Sequence, residues 1–410
     1  MTMLDASDLR GGRSAAPPTG IPRLLAAGDA SLAAHLARFG GLPAGRDADS
    51  VITELERAGL EGRGGAAFPT WRKLASAAGS GRAGVVIANG SEGEPLSAKD
   101  ATLLHHAPHL VLDGLLLVAA SLGASESHLV TTAAQLAPVQ RAIAERGDAG
   151  RIRLRETEDR FISGEASAVV NAIERARAIP RDHVVRLSIS GLGGRPTLVL
   201  NVETLAHIAL VLRFGADWFR SLGTSDDPGT RLLTVVGPEG SVVVEAAGGT
   251  PLRTALRAGG VDPASVRALL VGGYHGAWVA GDALDTPLSA TGLAPFGAAP
   301  GAGILMVLRR GQCGLDRTAE ITRYLASQSA GQCGPCANGL PELAELMGRI
   351  AHRDRDASLP RQVKQVSGLV TGRGACHHPD GTARMVLSAL GAFDRDVHAH
   401  ALGLCQELVS

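Results

Sequence analysis

"AGVVIANG" (residues 83–90) is a compact apolar run that ends in Asn-Gly. It is too short for a core helix, is rich in β-branched residues (Val85, Val86, Ile87) and closes on a turn signal. It therefore reads as a strand buried on both faces. Its surroundings repeat the theme. After it, "KDATLLHHAPHLVLDGLLLVAASLG" gives helices, "SHLVTT" a strand, "AAQLAPVQRAIAERG" a helix and "RIRLRE" another strand. Before it, "SLAAHLARFG" starts on Ser31, a good N-cap. "DSVITELERAGL" spaces Val51, Ile52, Leu55 and Leu60 at helical periods and stops at Gly59. A glycine-rich turn, "GLEGRGGAAF" (59–68), leads to a short helix around "PTWRKLASA". Alternation of this kind up to about residue 220 predicts an α/β domain with a mostly parallel sheet.

The pattern changes near Pro228-Gly229. "RLLTVVG", "SVVVEAA" and "ALLVGG" are short β-type runs, with one helix at "PLRTALRAGG", which predicts a small α+β module. From Asp316 onward the periodicity is helical. "TAEITRYLASQS", "LPELAELMGRIAHR", "LPRQVKQVSGLV" and "TARMVLSALGAF" predict a four-helix bundle. The expected division is a flexible tail over 1–30, the α/β domain over 31–226, the small module over 229–310 and the bundle over 315–400.

With 40 basic and 40 acidic residues the net charge is zero, so no electrostatic case exists for nucleic acid as a partner. The longest apolar stretch, "HLVLDGLLLVAASLGA" (109–124), falls short of the roughly 20 residues needed to span a bilayer and carries Asp113. The N-terminus has no apolar core of a secretory signal. The expectation is a cytoplasmic protein without direct membrane insertion.

Five cysteines in such a chain do not make a disulfide framework. Cys333 and Cys336 lie in "SAGQCGPCANG" (329–339), where Gly334 and Pro335 suit a turn that makes two thiols converge. Cys376 stands in "GRGACHHPDG". Structural zinc, a redox dithiol, an iron–sulfur cluster and three buried core thiols all fit this spacing.

Six stretches in order resemble one family: "GRGGAAFPTWRK" (62–73), "ANGSEGEPLSAKD" (88–100), "FISGEASAVVNAIE" (161–174), "GRPTLVLNVETLA" (194–206), "GADWFRSLGT" (215–224) and the cysteine turn. They look like the NADH-binding flavoprotein (51 kDa type, the F-type subunit) of respiratory complex I and the related diaphorase subunits of NAD-linked hydrogenases and formate dehydrogenases. The resemblance spans about residues 35–395. It implies an FMN- and NAD(P)H-binding α/β domain, a β-grasp module of the SLBB type and a helical bundle holding a [4Fe-4S] cluster. The implied enzyme is an NADH dehydrogenase or diaphorase-like oxidoreductase. Hydride passes from NADH to FMN, and single electrons then pass to the cluster and a partner.

By the same resemblance, Gly62, Arg63, Gly64 and Gly65 line the FMN phosphate and ribityl chain, and Phe68 stands beside the nicotinamide. Lys73 is a cationic partner for the cofactors. Asn89, Glu92 and Glu94 follow a strand C-terminus, the edge where open α/β sheets bind ligands. Glu165, Asn201 and Thr204 match further flavin positions. Lys73 and Glu94 are the candidate catalytic residues. Each also has a plain reading: the glycines as a tight turn, "NGSEGEP" as a solvated acidic turn, "NVETL" as a helix start.

The departures from the family are specific. Ser91 replaces an Asp, Ala166 the second of two glutamates, Phe161 a tyrosine and Leu200 an asparagine. "HVVR" (183–186) replaces Lys-Pro-Pro-Phe, putting Arg186 where an aromatic would stack on adenine. Arginine can stack and can pair with phosphate, so NADPH or loss of the nucleotide both follow from it. In the cluster motif Ala330 replaces the first cysteine, leaving Cys333, Cys336 and Cys376 as metal ligands. For a fourth ligand, His377 or His378 is the best protein candidate, and His378 is the one assigned. The alternative is no protein ligand, as in a three-iron [3Fe-4S] cluster or an open iron site. Cys313 precedes a predicted helix about 20 Å long and so lies far from the turn, and Cys405 falls near a mobile C-terminus. The expected partner is a ferredoxin-like or thioredoxin-fold iron–sulfur protein. Two competing readings are an FMN/iron–sulfur module that no longer binds NADH, and a cofactor-poor scaffold.

Overall fold

The computed structural model describes residues 20–79, 84–182 and 185–405. The expected tail over 1–30 lies outside them up to residue 19, as do His183 and Val184 of the "HVVR" stretch.

Helices α1 (Leu32–Phe39), α2 (Ala48–Ala58) and α3 (Thr70–Ala78) come first. Ser31 caps α1 through the N–H of Ala34, and Asp47 caps α2 through the N–H of Ser50. Strand β1 (Val85–Gly90) is buried at every position. It is followed by α4 (Lys99–His106), α5 (Pro108–Ser121), β2 (Glu126–Thr131), α6 (Ala133–Ala144), β3 (Ile152–Glu156), α7 (Ala166–Arg175), β4 (Thr197–Asn201), α8 (Val202–Phe214) and α9 (Ala216–Arg220). The four strands form a parallel sheet in the order β3-β2-β1-β4. The strand order reverses between β1 and β4, where Asn89 pairs with Asn201. In open α/β sheets a ligand crevice opens at the C-terminal ends of the strands at such a switch.

Helices α5 and α8 are apolar nearly all round and fill the main core with β1 and β4. Asp113, inside α5, is buried yet fully paired: Arg146 at 2.7 Å, Arg213 at 2.7 Å and His35 at 3.0 Å hold its carboxylate well below the usual range despite burial. No single described helix is long and apolar enough to cross a membrane.

The second sheet has the order β6-β5-β9-β7-β8, with β5 (Thr230–Gly237), β6 (Gly240–Ala247), β7 (Val266–Val271), β8 (Ala277–Ala280) and β9 (Ile304–Arg309). Only the central β5–β9 pair is parallel. Helix α10 (Leu252–Ala258) follows the first hairpin and supplies Leu252, Ala255 and Leu256 to the core beneath it, and α11 (Ala290–Leu293) is a single turn. This is the hairpin–helix–crossover arrangement expected of a β-grasp module.

The C-terminal part holds α12 (Gly314–Ser327), α13 (Leu340–Ala351), α14 (Leu359–Val370), α15 (His378–Ala392) and α16 (Asp394–Ala401). Four helices were expected here and five are described. The extra one, α16, reads "DRDVHAHA" and lacks an apolar stripe, so periodicity gave no sign of it. Its Asp396 is buried against Arg267 of β7, which ties the bundle to the small module.

Candidate functional site

The crevice at the ends of β1 and β4 is built from five segments. The first is the loop 62–68, closed by a hydrogen bond from the Gly62 N–H to the Phe68 carbonyl (3.0 Å). Gly65 (φ 104°) and Ala67 (φ 48°) both sit in the left-handed region, which only glycine enters without strain. Gly64 lies open to solvent, with its backbone so near Asn201 that a Cβ would come within 3.3 Å of that side chain. Phe68 is 45% exposed, a large ring left on the surface beside this loop.

The loop after β1, the starts of α7 and α8, and the Gly-Gly-Tyr turn after β7 complete the wall. Most of their polar side chains already hold the fold. Glu92 accepts the N–H groups of Asp100 and Ala101 (both 3.0 Å) at the start of α4. Glu165 accepts those of Ser167 (2.9 Å) and Ala168 (3.0 Å) at the start of α7. Asn201 caps α8 through the N–H of Glu203 (3.0 Å) and donates to Asp100 (2.6 Å). Asn89 bridges the Ser91 N–H and the Gly164 carbonyl. Thr204 accepts the Arg63 backbone N–H at 2.8 Å. Helix caps satisfy donors that helix geometry leaves open, so these residues would be kept with no ligand present.

The Arg63 guanidinium does not reach the crevice. It is buried against Pro228 (3.3 Å to the carbonyl) and Asp227 (3.6 Å), and burial lowers its pKa to about 10. Its backbone N–H is taken as well, by Thr204, so Arg63 serves the crevice by fixing the loop rather than by donating to a phosphate. Beneath the crevice, Lys99 bridges Asp100 (2.6 Å) and Glu203 (2.9 Å), all three buried. Burial pushes the Asp100 carboxyl up to about 7, against the pull of Lys99.

Two groups stand apart. Lys73 has one long contact, 3.5 Å to the Val199 carbonyl; burial lowers its pKa and nearby Glu165 opposes that. Glu94 accepts the Tyr274 N–H at 3.1 Å through Oε2, while its Oε1 is buried with no partner. Burial pushes this carboxyl up to about 8, so it holds a proton at neutral pH. A buried polar atom without a partner costs on the order of 1–3 kcal/mol, a cost that a polar group of a bound ligand would offset. Ser91 Oγ is a second such atom nearby. The unsatisfied carboxyl, the exposed glycine backbone and the weakly held lysine together fit a flavin mononucleotide. Tyr274 was missed at the sequence level. "GGYHG" (272–276) directly after a strand was the available signal, since Gly273 lets Glu94 approach to 2.8 Å of where a Cβ would stand.

Between crevice and bundle stands an aromatic wall. Phe161 packs edge-on against His275 (4.6 Å between centroids), and Tyr274 against Tyr324 of α12 (5.6 Å). Behind it lie the thiols. Cys336 is buried in a π-type turn over Pro335–Gly339 that runs into α13. Burial, with Cys333 and Cys376 nearby, pushes the Cys336 thiol up to about 12. Cys376 is also buried, with Glu165 among the groups that raise its pKa. Three soft donors around a π-turn fit an iron–sulfur cluster: the thiolate charge they must carry is balanced when iron binds.

The structure turns His378 elsewhere. Its Nε2 bonds the Leu325 carbonyl (2.8 Å) and its Nδ1 meets His275 Nε2 (3.1 Å), so both ring nitrogens are occupied. His377 is exposed and paired with Asp380. Neither imidazole is presented to the thiols. Arg186 is exposed. Cys405 is not on a mobile end: it is buried beside Cys313, at the opposite end of α12 from the turn.

Residues 55–210 match the Nuo51 FMN-binding domain family, and residues 316–400 match the NADH-ubiquinone oxidoreductase-F iron-sulfur binding region. The chain is 28% identical to the F-type subunit of NADH-quinone oxidoreductase in Streptomyces coelicolor, over 87% of this chain and 84% of that one. Against its Escherichia coli counterpart it is 28% identical, with 87% and 85% covered. A crystal structure of an NAD+-reducing [NiFe]-hydrogenase in the air-oxidized state superposes with a TM-score of 0.77 at 26% identity, over 87% of this chain and 63% of the hydrogenase chain. This chain therefore spans less than two thirds of that hydrogenase chain. In order along the chain, one segment matches the FMN-binding domain and another the iron–sulfur-binding region of NADH-quinone oxidoreductase F-type subunits, and the chain is similar to those subunits over most of its length.

Proposed function

We propose that this chain is an NAD(P)H-oxidising electron-transfer flavoprotein, with FMN in the crevice and an iron–sulfur cluster on Cys333, Cys336 and Cys376. FMN, when bound, accepts a hydride and releases electrons singly to the cluster. The residues of the chain set the stage for this. Gly64 and Gly65 offer backbone N–H groups to a phosphate, on a loop closed by the Gly62 N–H to Phe68 hydrogen bond. Lys73, held by one long contact, can turn to meet an anion. Glu94, protonated at neutral pH, donates a hydrogen bond from a buried site. Glu92, Glu165, Asn201 and Thr204 act as positioning residues, through the helices and the loop they fix. Phe68, exposed beside the loop, is a platform for a flat ring.

The observation that carries the proposal is the buried, unpartnered Glu94 oxygen in the crevice. With the histidines engaged, the cluster takes three protein thiolates and leaves one corner open, or is a three-iron cluster. The partner is an iron–sulfur protein of ferredoxin-like or thioredoxin fold, fitting relatives that are subunits of larger electron-transfer enzymes. A second reading has its own support: Ala166 and the exposed Arg186 stand where the family holds NADH, which favours a module that keeps FMN and cluster without the nucleotide. Reduction of an artificial one-electron acceptor under NADH and under NADPH tests the first reading. Turnover with one nucleotide, lost in Glu94→Ala, is expected. Full flavin occupancy without turnover on either nucleotide would overturn it in favour of the second.

A further inference from the structure

We propose that Cys313, His400 and Cys405 bind a single zinc ion, at a site separate from the iron–sulfur turn. The three ligand atoms lie within 4.8 Å of one another, and all three residues are buried. Among the described residues this is the one group of its kind. The Cys313 Sγ to His400 Nε2 distance is 3.6 Å. A tetrahedral zinc with Zn–S near 2.3 Å and Zn–N near 2.05 Å requires about 3.6 Å between those two atoms.

The surroundings prepare the ligands. His400 Nδ1 donates to the Ile350 carbonyl at 2.8 Å, which fixes the tautomer and leaves the Nε2 lone pair facing the two sulfurs. Cys313 is the N-cap of the 14-residue α12; burial raises the pKa of its thiol and the helix N-terminus opposes that rise. The backbone N–H groups of Leu315 and Asp316 point at its sulfur. The Arg353 side chain reaches Cys405 and also lies 3.7 Å from Asp316.

Cys313 and Cys405 fall outside the matched segment 316–400, so the family match does not account for them. They are also remote from the cysteine turn, since α12 puts about 20 Å between its two ends. Binding turns two thiols into thiolates and sends two protons to solvent, with the histidine neutral; water takes the fourth position. No oxidant or reductant is needed. The ion joins the start of α12, the end of α16 and the segment after it, and so locks the C-terminal chain onto the bundle.

The test uses the full chain expressed with zinc in the medium and passed through a mild chelator, with metals counted per chain. About one zinc is expected in the wild type and in Cys336→Ser. Less than a fifth should remain in Cys405→Ser and in His400→Gln. Cobalt added to zinc-free wild type should give a thiolate-to-cobalt absorption that also appears in Cys336→Ser, a readout that does not depend on the folding of the ligand variants. No zinc in the wild type together with no cobalt band would overturn the proposal, the close approach then being an S–H···N hydrogen bond. Zinc lost in Cys336→Ser but kept in Cys405→Ser would overturn it too, as would a wild-type mass two units light from a Cys313–Cys405 disulfide. Iron and flavin content, read on the same samples, report on the proposed function independently.

Discussion

The crevice and the cysteine turn use their reactive-looking side chains in opposite ways. In the crevice nearly every polar side chain has a structural task. Glu92, Glu165 and Asn201 close helix ends, Asn89 and Thr204 pin loops, and Lys99 neutralises two buried carboxylates. In the loop after β1, Glu94 Oε1 and Ser91 Oγ are buried without a partner, as are Arg63 Nε and Ser163 Oγ in the neighbouring segments. At the turn, by contrast, the thiols close no helix end: burial and the neighbouring thiols raise the pKa of Cys336 and Cys376 and hold them neutral side by side. A group that stabilises the chain can persist without a ligand. A buried neutral thiol costs the chain little, so at the turn it is the convergence of three thiols, not a cost, that points to a ligand.

That contrast can be broken at several points. The largest effect is expected for Cys336→Ser, which removes a buried thiol proposed to hold the cluster. Iron content and the broad visible absorption should fall severalfold while flavin content holds; an unchanged spectrum would remove Cys336 from the cluster. Next is Lys99→Met under the crevice, which leaves Asp100 and Glu203 buried without their cation. Chemical denaturation of the cofactor-free chain should show a loss of about 3–5 kcal/mol, the cost of breaking a buried ion pair. A loss under about 1 kcal/mol, the worth of an exposed pair, would mean that the charged floor is not structural.

Glu165→Ala should cost about 1 kcal/mol through the lost cap of α7, with flavin affinity falling only in step with that loosening. A hundredfold loss of flavin affinity at unchanged stability would make Glu165 a direct ligand and narrow the contrast. Glu94→Gln should act the other way. With the Glu94 pKa raised from 4.5 to about 8, the folded chain keeps a proton that the unfolded chain has released between those values. Its contribution is fully favourable below about pH 4.5 and is lost as pH rises towards 8. The flavin-free wild type should therefore lose stability over that window, and Glu94→Gln should flatten the slope. An equal slope in the variant would place the titration elsewhere.

The legible parts of the chain were those where local chemistry and global fold agree. The run Val85–Gly90, the two helices flanking Pro108 and the strand before α6 were all marked by period, caps and turn residues. The cysteine turn was legible as a turn because Gly334 and Pro335 suit one, while its spacing alone left zinc, a redox dithiol, a cluster and core thiols open. The order of the glycine-rich loop, the acidic turn and the cysteines carried the family.

What stayed hidden was long-range. Nothing near Glu94 in sequence announces Tyr274, 180 residues away, as its partner. Arg63 looked like a phosphate ligand because its loop is glycine-rich, yet its side chain goes to Asp227. His378 looked available because it neighbours Cys376, yet its nitrogens are taken by Leu325 and His275. Cys405 looked peripheral because it is near the chain end, and only packing of the polar helix α16 brings it beside Cys313.

The central claim is that the crevice and the turn form one electron path fed by a nicotinamide nucleotide. An anaerobic visible spectrum of the cluster-reconstituted, FMN-loaded protein tests it most directly, recorded before and after NADH and then NADPH. The account predicts flavin bands over a broad cluster absorption, both bleached by one of the two nucleotides. Chromophores that stay oxidised with either nucleotide, yet bleach with dithionite, would contradict it.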